Sequence, residues 1–390
     1  MRWQYRSTVL VLCLLAFFVT YFARMAISPV IPFIVDDFAV SNTQIGLALS
    51  GMWLAYGLSQ FPSGVLGDRY GEKRVILVAV GGTSIASLLL ALSPAFPAFV
   101  VLAILLGAVA GLHYAVATTL LSRTYDELGR AVGIHSIGGP LAGLVAPVAA
   151  AWVGARFGWR PALALALGVG LPVFALFAWQ IRPTEPRRPE RPMRDRFELA
   201  ALVDLLSRPA IVFTLAVAML GTFVVQGLLT FLPTFFVAYH DYSATAAGTA
   251  FSAFFVVRTV GQFFLGDLSD RIGRDIAIGG SMLAGAIGLF GLVGARSRVT
   301  VAAAVVLAGL GSSFFAALDP RFLDQFETAE RGAGFGLVRT VYTVVGAAGS
   351  VGVGLSADLF GWGPSFLVLA GLFSITVLAL GVNRAFDLGY

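Results

Sequence analysis

Charge is scarce in this sequence. Only 12% of its 390 residues are Asp, Glu, Lys or Arg, against about 25% in an average soluble domain. That is too little polar surface to cover a water-facing globule, so the solvent must be lipid. Cysteine is nearly missing: Cys13 stands alone in an apolar run, which excludes an internal disulfide and a thiol-ligated metal site. Lys73 is the single lysine, and no Gly-x-x-x-x-Gly-Lys-Ser/Thr run occurs, so no ATP site is expected. No Asp or Glu lies deep within an apolar run, and no metal-ligand cluster or Ser/His/Asp arrangement stands out. An enzyme, a cofactor and a metal are therefore not expected. The net charge of +5 would suggest nucleic acid in a soluble protein. Here the basic residues sit in short loops, where they set membrane topology, and nucleic acid is not an expected partner.

What is present is apolar length. Hydrophobic residues make up 58% of the chain, with 32 Phe and 45 Gly. Twelve apolar runs can span a bilayer, at about 8–33, 43–64, 75–93, 97–121, 131–154, 160–180, 209–235, 245–266, 276–294, 299–319, 332–357 and 363–383, each near the ~20 helical residues required. The runs are continuous rather than alternating, which argues against a barrel. The first run is long and lacks a signal-peptide cleavage pattern, so it is expected to be retained. With the N-terminus inside, nineteen basic residues fall on the inner side and four on the outer. The expectation is a multi-pass protein of the cell membrane with both termini cytoplasmic. Residues 182–196 interleave four prolines with six arginines, and residues 197–206 read as an amphipathic stretch along the interface. The expected domains are thus an N-terminal six-helix bundle at 1–181, a basic linker at 182–208 and a C-terminal six-helix bundle at 209–390.

A charged loop organises this plan. Gly64-Val65-Leu66-Gly67-Asp68-Arg69-Tyr70-Gly71-Glu72-Lys73-Arg74 follows the second span, and Gly266-Asp267-Leu268-Ser269-Asp270-Arg271-Ile272-Gly273-Arg274 repeats it after the eighth, 202 residues on. A repeat at half-chain spacing marks two copies of one unit. Twelve spans, the basic central loop and the duplicated Gly-x-x-x-Asp-Arg-x-Gly-x-x-Arg motif resemble the major facilitator superfamily over essentially the whole chain. The resemblance implies an all-α membrane fold of two pseudo-symmetric six-helix bundles around a central cavity, working by alternating access. It also implies that Gly64, Asp68, Arg69, Gly71, Arg74, Asp270, Arg271, Gly273 and Arg274 form a conformational latch. Arg69 and Arg74 are placed to reach Asp126 or Glu127 after span 4. Gly138-Gly139-Pro140-Leu141-Ala142-Gly143 in span 5 resembles the Gly-Pro-x-x-Gly element of the antiporter branch; a packing kink accounts for it equally.

Ionisable residues inside spans are costly and mark functional sites. Arg24, Arg258 and Arg339 lie within spans 1, 8 and 11 without an evident acid beside them. An unpaired guanidinium in a low dielectric is completed by a carboxylate or phosphate. Helical spacing sets Tyr21 and Ser28 beside Arg24, Phe255 and Gln262 beside Arg258, and Tyr342 and Thr343 beside Arg339. The 202-residue offset maps Arg24 onto Gln226 and Arg258 onto Tyr56, both polar. The candidate substrate-binding residues are Arg24, Arg258, Arg339, Tyr21, Tyr56, His113, Gln226, Gln262 and Tyr342. His113 and His135 are candidates for carrying a coupling proton; His240 is read as a solvated loop residue.

The leading expectation is a secondary active transporter of a small organic anion, driven by a proton or anion gradient. It resembles the anion-handling branches of the superfamily, such as monocarboxylate carriers. The alternative is a drug or metabolite exporter of the same superfamily. A non-transporting membrane receptor is the remote third reading, which leaves the repeat unexplained. The expected partners are a small anionic molecule, a co-transported proton and the lipid bilayer, with the chain acting as a monomer.

Overall fold

The structure, a computed structural model, describes residues 5–125, 127–186, 207–327 and 331–390, with the side chains of Phe61 and residues 331–333 outside that description. The Pro/Arg run beyond residue 186, the 197–206 stretch and Asp126 therefore lie outside the described residues. Every regular element among the described residues is helical. The first half runs α1 (Tyr5–Met25), a short 3₁₀ turn (Ser28–Val30), α2 (Ile31–Phe38), α3 (Asn42–Tyr70), α4 (Glu72–Ala91), α5 (Phe96–Gly111), α6 (His113–Ser122), α7 (Leu128–Ser136), α8 (Gly138–Phe157) and α9 (Trp159–Gln180). The second half runs α10 (Pro209–His240), α11 (Ala244–Ile272), α12 (Arg274–Gly294), α13 (Arg298–Gly311), α14 (Phe315–Asp324), α15 (Arg331–Gly346), α16 (Ala348–Phe360) and α17 (Trp362–Ala385).

Helices are forced here because lipid offers no partner for backbone N–H and C=O groups. Joined end to end across their breaks, these helices give eleven segments long and apolar enough to cross a membrane. Twelve were expected. α3 is the twelfth by length, at 29 residues, but its Gly, Ser, Gln and terminal Asp-Arg dilute its apolar character. Five crossing segments are broken: before the 3₁₀ turn that follows α1, and between α5 and α6, α7 and α8, α13 and α14, and α15 and α16. Four of these breaks pair off between the halves, in spans 4 and 10 and in spans 5 and 11.

The chain divides into two compact units. The first takes in residues up to Val40, those from Ala48 to the central linker, and Tyr242–Gly248; the second holds Ser41–Leu47, the remainder up to Asp241, and Thr249–Tyr390. Inside the first, α4 packs on α9 and α5, and α1 on α8; inside the second, α12 packs on α17 and α13, and α10 on α15 and α16. The partners correspond under the sequence repeat, so the duplicated loop reports a duplicated packing scheme. The first turn of α3 belongs to the second unit. Asp358 accepts hydrogen bonds there from the backbone N–H and Nδ2 of Asn42 (3.1 and 2.9 Å) and from the backbone N–H and Oγ1 of Thr43 (2.7 and 2.6 Å). A carboxylate on free N–H groups at a helix start is both a cap and a favourable charge for the helix dipole.

Glycine lets these helices approach closely, since lipid gives apolar faces no incentive to leave it and packing must supply the attraction. A Cβ on Gly107 of α5 would lie 2.0 Å from the Met52 carbonyl oxygen of α3, and one on Gly311 would lie 2.1 Å from Gly285 Cα. Gly107→Ala is therefore expected to destabilise the protein by about 1–3 kcal/mol through backbone displacement, read as a lower thermal midpoint in detergent. Gly168→Ala, in α9 with open space around it, should leave the midpoint unchanged or raised.

Candidate functional site

Arg24 lies in the last turn of α1 and is 2% exposed. Its Nε donates to the Thr20 carbonyl at 3.1 Å. Its guanidinium carbon stands 3.9 Å from the ring centroid of Tyr56, 4.9 Å from that of Tyr21 and 5.0 Å from that of Trp53. Such a cage holds a cation through the negative faces of the rings, but offers its N–H groups little. Nη2 is buried without a hydrogen-bond partner, and Arg24 makes no ion pair among the described residues. Sequence spacing found Tyr21, and the repeat offset found Tyr56. It missed Trp53, whose place three residues before Tyr56 on α3 was the available signal. Gly111 fixes this wall: its Cβ would fall 2.4 Å from the Tyr56 carbonyl oxygen, so α5 can approach α3 only with glycine there.

From Arg24 the same face of α1 continues through Tyr21 to Phe17, whose rings are 5.9 Å apart. Phe17 meets His113 at 5.9 Å, Tyr114 at 5.3 Å and His135 at 5.2 Å. His113 is thus separated from Arg24 by two aromatic rings and is fully buried. The Gly-Pro element serves this contact. A Cβ on Gly138 would lie 2.4 Å from the Leu14 carbonyl oxygen, and one on Gly139 would lie 2.8 Å from the Phe17 ring.

The second unit holds the other two arginines around one aromatic bridge. Phe315 lies 5.9 Å from the Arg258 guanidinium and 6.2 Å from the Tyr342 ring. Arg258 Nε is buried without a partner, and its carbonyl accepts from Ser313 Oγ at 3.0 Å. The expectation that the arginines lack a buried counter-charge needs correcting for Arg339. Asp319 lies mid-α14, within electrostatic reach of Arg339 and bonded by the Tyr342 hydroxyl at 3.3 Å. A single turn of helix brings this acid inward, which its place at the end of an apolar run concealed. Gln226 is buried on α10 and Gln262 half-buried on α11; neither hydrogen-bonds an arginine among the described residues. His240, expected in a solvated loop, is instead the last residue of α10, with Nε2 2.8 Å from the Leu292 carbonyl.

The paired loops are built on positive backbone torsions. Gly71 and Gly273 have φ of +84° and +95° and each precedes a helix, a conformation that glycine adopts without strain. Gly64 has open space around it. Arg271 pairs with Asp267 at 2.7 Å, while Arg274 binds Asp270 and reaches Asp324 at 3.2 Å. In the first copy only Glu127 of the two expected partners lies among the described residues, and it is not met by Arg69 or Arg74. Arg69 lies over the Tyr70 ring at 5.4 Å, Glu127 pairs with Arg130 at 4.0 Å, and neither Arg69 nor Arg74 makes an ion pair among the described residues. The acid that counts here is Glu72, 0% exposed, with Arg123 at 2.9 Å. The second half repeats the arrangement as Asp275 with Arg321 at 2.6 Å.

Two six-helix units with matching internal packing, broken crossing segments and buried arginines define a multi-pass secondary transporter rather than an enzyme. The chain belongs to the Major Facilitator Superfamily, whose family model matches residues 13–248 and 237–386. It is 25% identical over 396 residues to the hexuronate transporter of Bacillus subtilis (strain 168), covering 95% of this chain and 93% of that one. Over 188 residues, 46% of this chain and 42% of the relative, it is 27% identical to the membrane sensor protein UhpC of Escherichia coli (strain K12). A bacterial homologue of the human lysosomal transporter Spinster, solved in an inward-facing occupied conformation, superimposes with a TM-score of 0.85 at 16% identity over 99% of this chain and 98% of that one.

Proposed function

We propose that this protein carries a small hydroxylated organic anion of the hexuronate type across the cell membrane, coupled to a proton gradient. Arg24 carries the reading: a buried guanidinium with no carboxylate partner among the described residues, held by three aromatic faces, with Nη2 left for an incoming oxygen. A carboxylate completes such a group with short charge-assisted bonds, and the aromatic rings supply faces for a sugar body. The transporter of hexuronates that the chain resembles along nearly its whole length supports the same class. Arg258, with Nε buried and unpartnered, is the candidate in the second unit, with Arg339 tempered by Asp319. The repeated Asp-Arg loops are read as the latch of an alternating-access cycle, supported by the turn-forming Gly71 and Gly273. The excess of basic residues on one side supports a reading with both termini cytoplasmic, and the chain is taken to work as a monomer.

The test is a thermal-shift panel on purified protein. D-Glucuronate and D-galacturonate at about 100-fold over their Kd should stabilise the folded state by about 2.7 kcal/mol. D-Glucose and a lipophilic cation should not. Stabilisation by the cation alone would replace this reading with drug export.

A further inference from the structure

Anion binding at Arg24 leaves two buried bases unused. His113 opens α6 directly after the break at Leu112, and His135 stands in the last turn of α7, two residues before the break at Ile137. Both are 0% exposed. Their ring centroids are 5.3 Å apart at an interplanar angle of 51°. None of the four ring nitrogens has a hydrogen-bond partner among the described residues. Buried polar groups are almost always partnered, so an orphaned pair calls for an occupant. At both breaks the backbone closes into tighter three-residue bonds, Leu112 to Val109 and Ile137 to Ile134. Irregular backbone at membrane depth is tolerated where it serves a site, and transporters place coupling ions at such breaks.

The surroundings select the occupant. From α1 come the Cys13 carbonyl, which both rings approach without hydrogen-bond geometry, and Arg24, whose charge reaches His113. Tyr114 of α6 lies 5.5 Å from His135 and shares a hydrogen bond with Ser136. α7 adds Arg130 at its opposite end, paired with Glu127. α4 adds Glu72, already paired with Arg123, besides Lys73 and Arg74 in its first turn. α5 has no titratable side chain, and α8 only Arg156 in its last turn. Among the described residues no third His, Cys, Asp or Glu completes a metal site, and two nitrogens fall short of a metal's usual ligand count.

We propose that His113 and His135 form a dyad that binds one proton together with the anion at Arg24. This rests on the anion reading of Arg24. One imidazole lone pair takes the proton, no bond breaks, and the second ring keeps a lone pair to accept from the imidazolium. A second proton is excluded by repulsion within the pair, which titrates as a unit. While Arg24 is empty its charge opposes the imidazolium, and a bound anion cancels that opposition. Each ligand thereby tightens the other, a reciprocal coupling that typically amounts to about 5–150-fold. The anion and the proton therefore cross together.

The chain has three histidines, so the ¹⁵N-histidine spectrum of the protein in nanodiscs is simple, with His240 as an internal reference. With D-glucuronate bound, His113 and His135 are expected to titrate as one coupled pair. Calorimetry of D-glucuronate binding in buffers of different ionisation enthalpy should show about one proton taken up per anion, and none in H113Q or H135Q. Uptake into proteoliposomes should rise about tenfold with a proton gradient in the wild type and lose that dependence in both variants. Gradient-dependent uptake by the H113Q/H135Q double variant overturns the proposal. So do rings that stay neutral down to about pH 5, with and without D-glucuronate. If D-glucuronate fails to bind the wild type, the anion reading is what fails. The ligand-free spectrum then decides the dyad: one shared titration supports it, and two independent titrations overturn it.

Discussion

Replacing Arg24 by alanine is expected to abolish uptake of the anion while leaving the protein at least as stable as the wild type without ligand. The two halves of that outcome come from one fact. Arg24 is buried among Tyr21, Trp53 and Tyr56, with Nη2 unpartnered and no acid paired with it among the described residues. A buried charge without a counter-ion is a cost to the folded state, so removing it relieves strain that substrate would otherwise relieve. Binding sites commonly trade stability for function in this way. Truncating one partner of a buried charge pair weakens binding by about 2–5 kcal/mol, so the Kd for D-glucuronate should rise about 30-fold to several thousand-fold. Arg24→Lys separates charge from shape. A lysine keeps the positive charge but loses the planar stack on Tyr56 and the bidentate fork, so it should bind more weakly than the wild type and better than alanine. The thermal shift by D-glucuronate reads all three. An Arg24→Ala protein that is still stabilised and still transports would remove the carboxylate from this cage.

The family and the helical plan were legible in the sequence because lipid leaves so few solutions. Continuous apolar runs can only be helices there, and the echo of Gly71 at Gly273 survives because both need the same positive φ. Site residues that follow from helical spacing were legible for the same reason: Tyr21 is three residues from Arg24 on α1 and lies against it. What was hidden depends on how helices end and turn. Trp53 joins Arg24 only through the approach of α3 to α1. Asp319 reads as an end-of-span residue until the break at Ser312 places it within α14. The pairing of His113 with His135 requires α5 and α7 to stop where they do. Gly111 before Leu112 and Gly138-Gly139-Pro140 after Ile137 mark breakable stretches, but do not by themselves show that the helices stop there and bring the two rings together. The paired loops were half legible. Their glycines and torsions follow from the motif, but the buried ion pair beside the first loop, Glu72 with Arg123, does not.

The Glu72–Arg123 pair carries the largest expected effect on stability. Glu72 opens α4 with no exposed surface, and Arg123, whose side chain is 24% exposed, supplies its only ion pair among the described residues, at 2.9 Å. Neither carboxylate oxygen has a hydrogen-bond partner among the described residues, so the contact with Arg123 acts by charge. The α4 N-terminus helps, since free N–H groups favour a negative first-turn side chain, but that contribution is only about 0.3–1 kcal/mol at ordinary exposure. Arg123→Ala leaves the acid buried and uncompensated, which should destabilise the protein by about 3–5 kcal/mol. Glu72→Gln alone removes the charge and frees Arg123 to water, and should be milder. Combining the two should recover most of the loss, giving a coupling energy of about 0.5–3 kcal/mol in a double-mutant cycle. The second half offers an internal control. Arg321 also holds the Tyr390 carbonyl at 2.7 Å and Thr214, so Arg321→Ala disrupts a wider network, and Asp275→Asn should rescue less of its loss. Thermal midpoints of the wild type and the six variants would measure both cycles. Additive losses at Glu72 and Arg123 would mean that the pair holds the loop by position and not by charge.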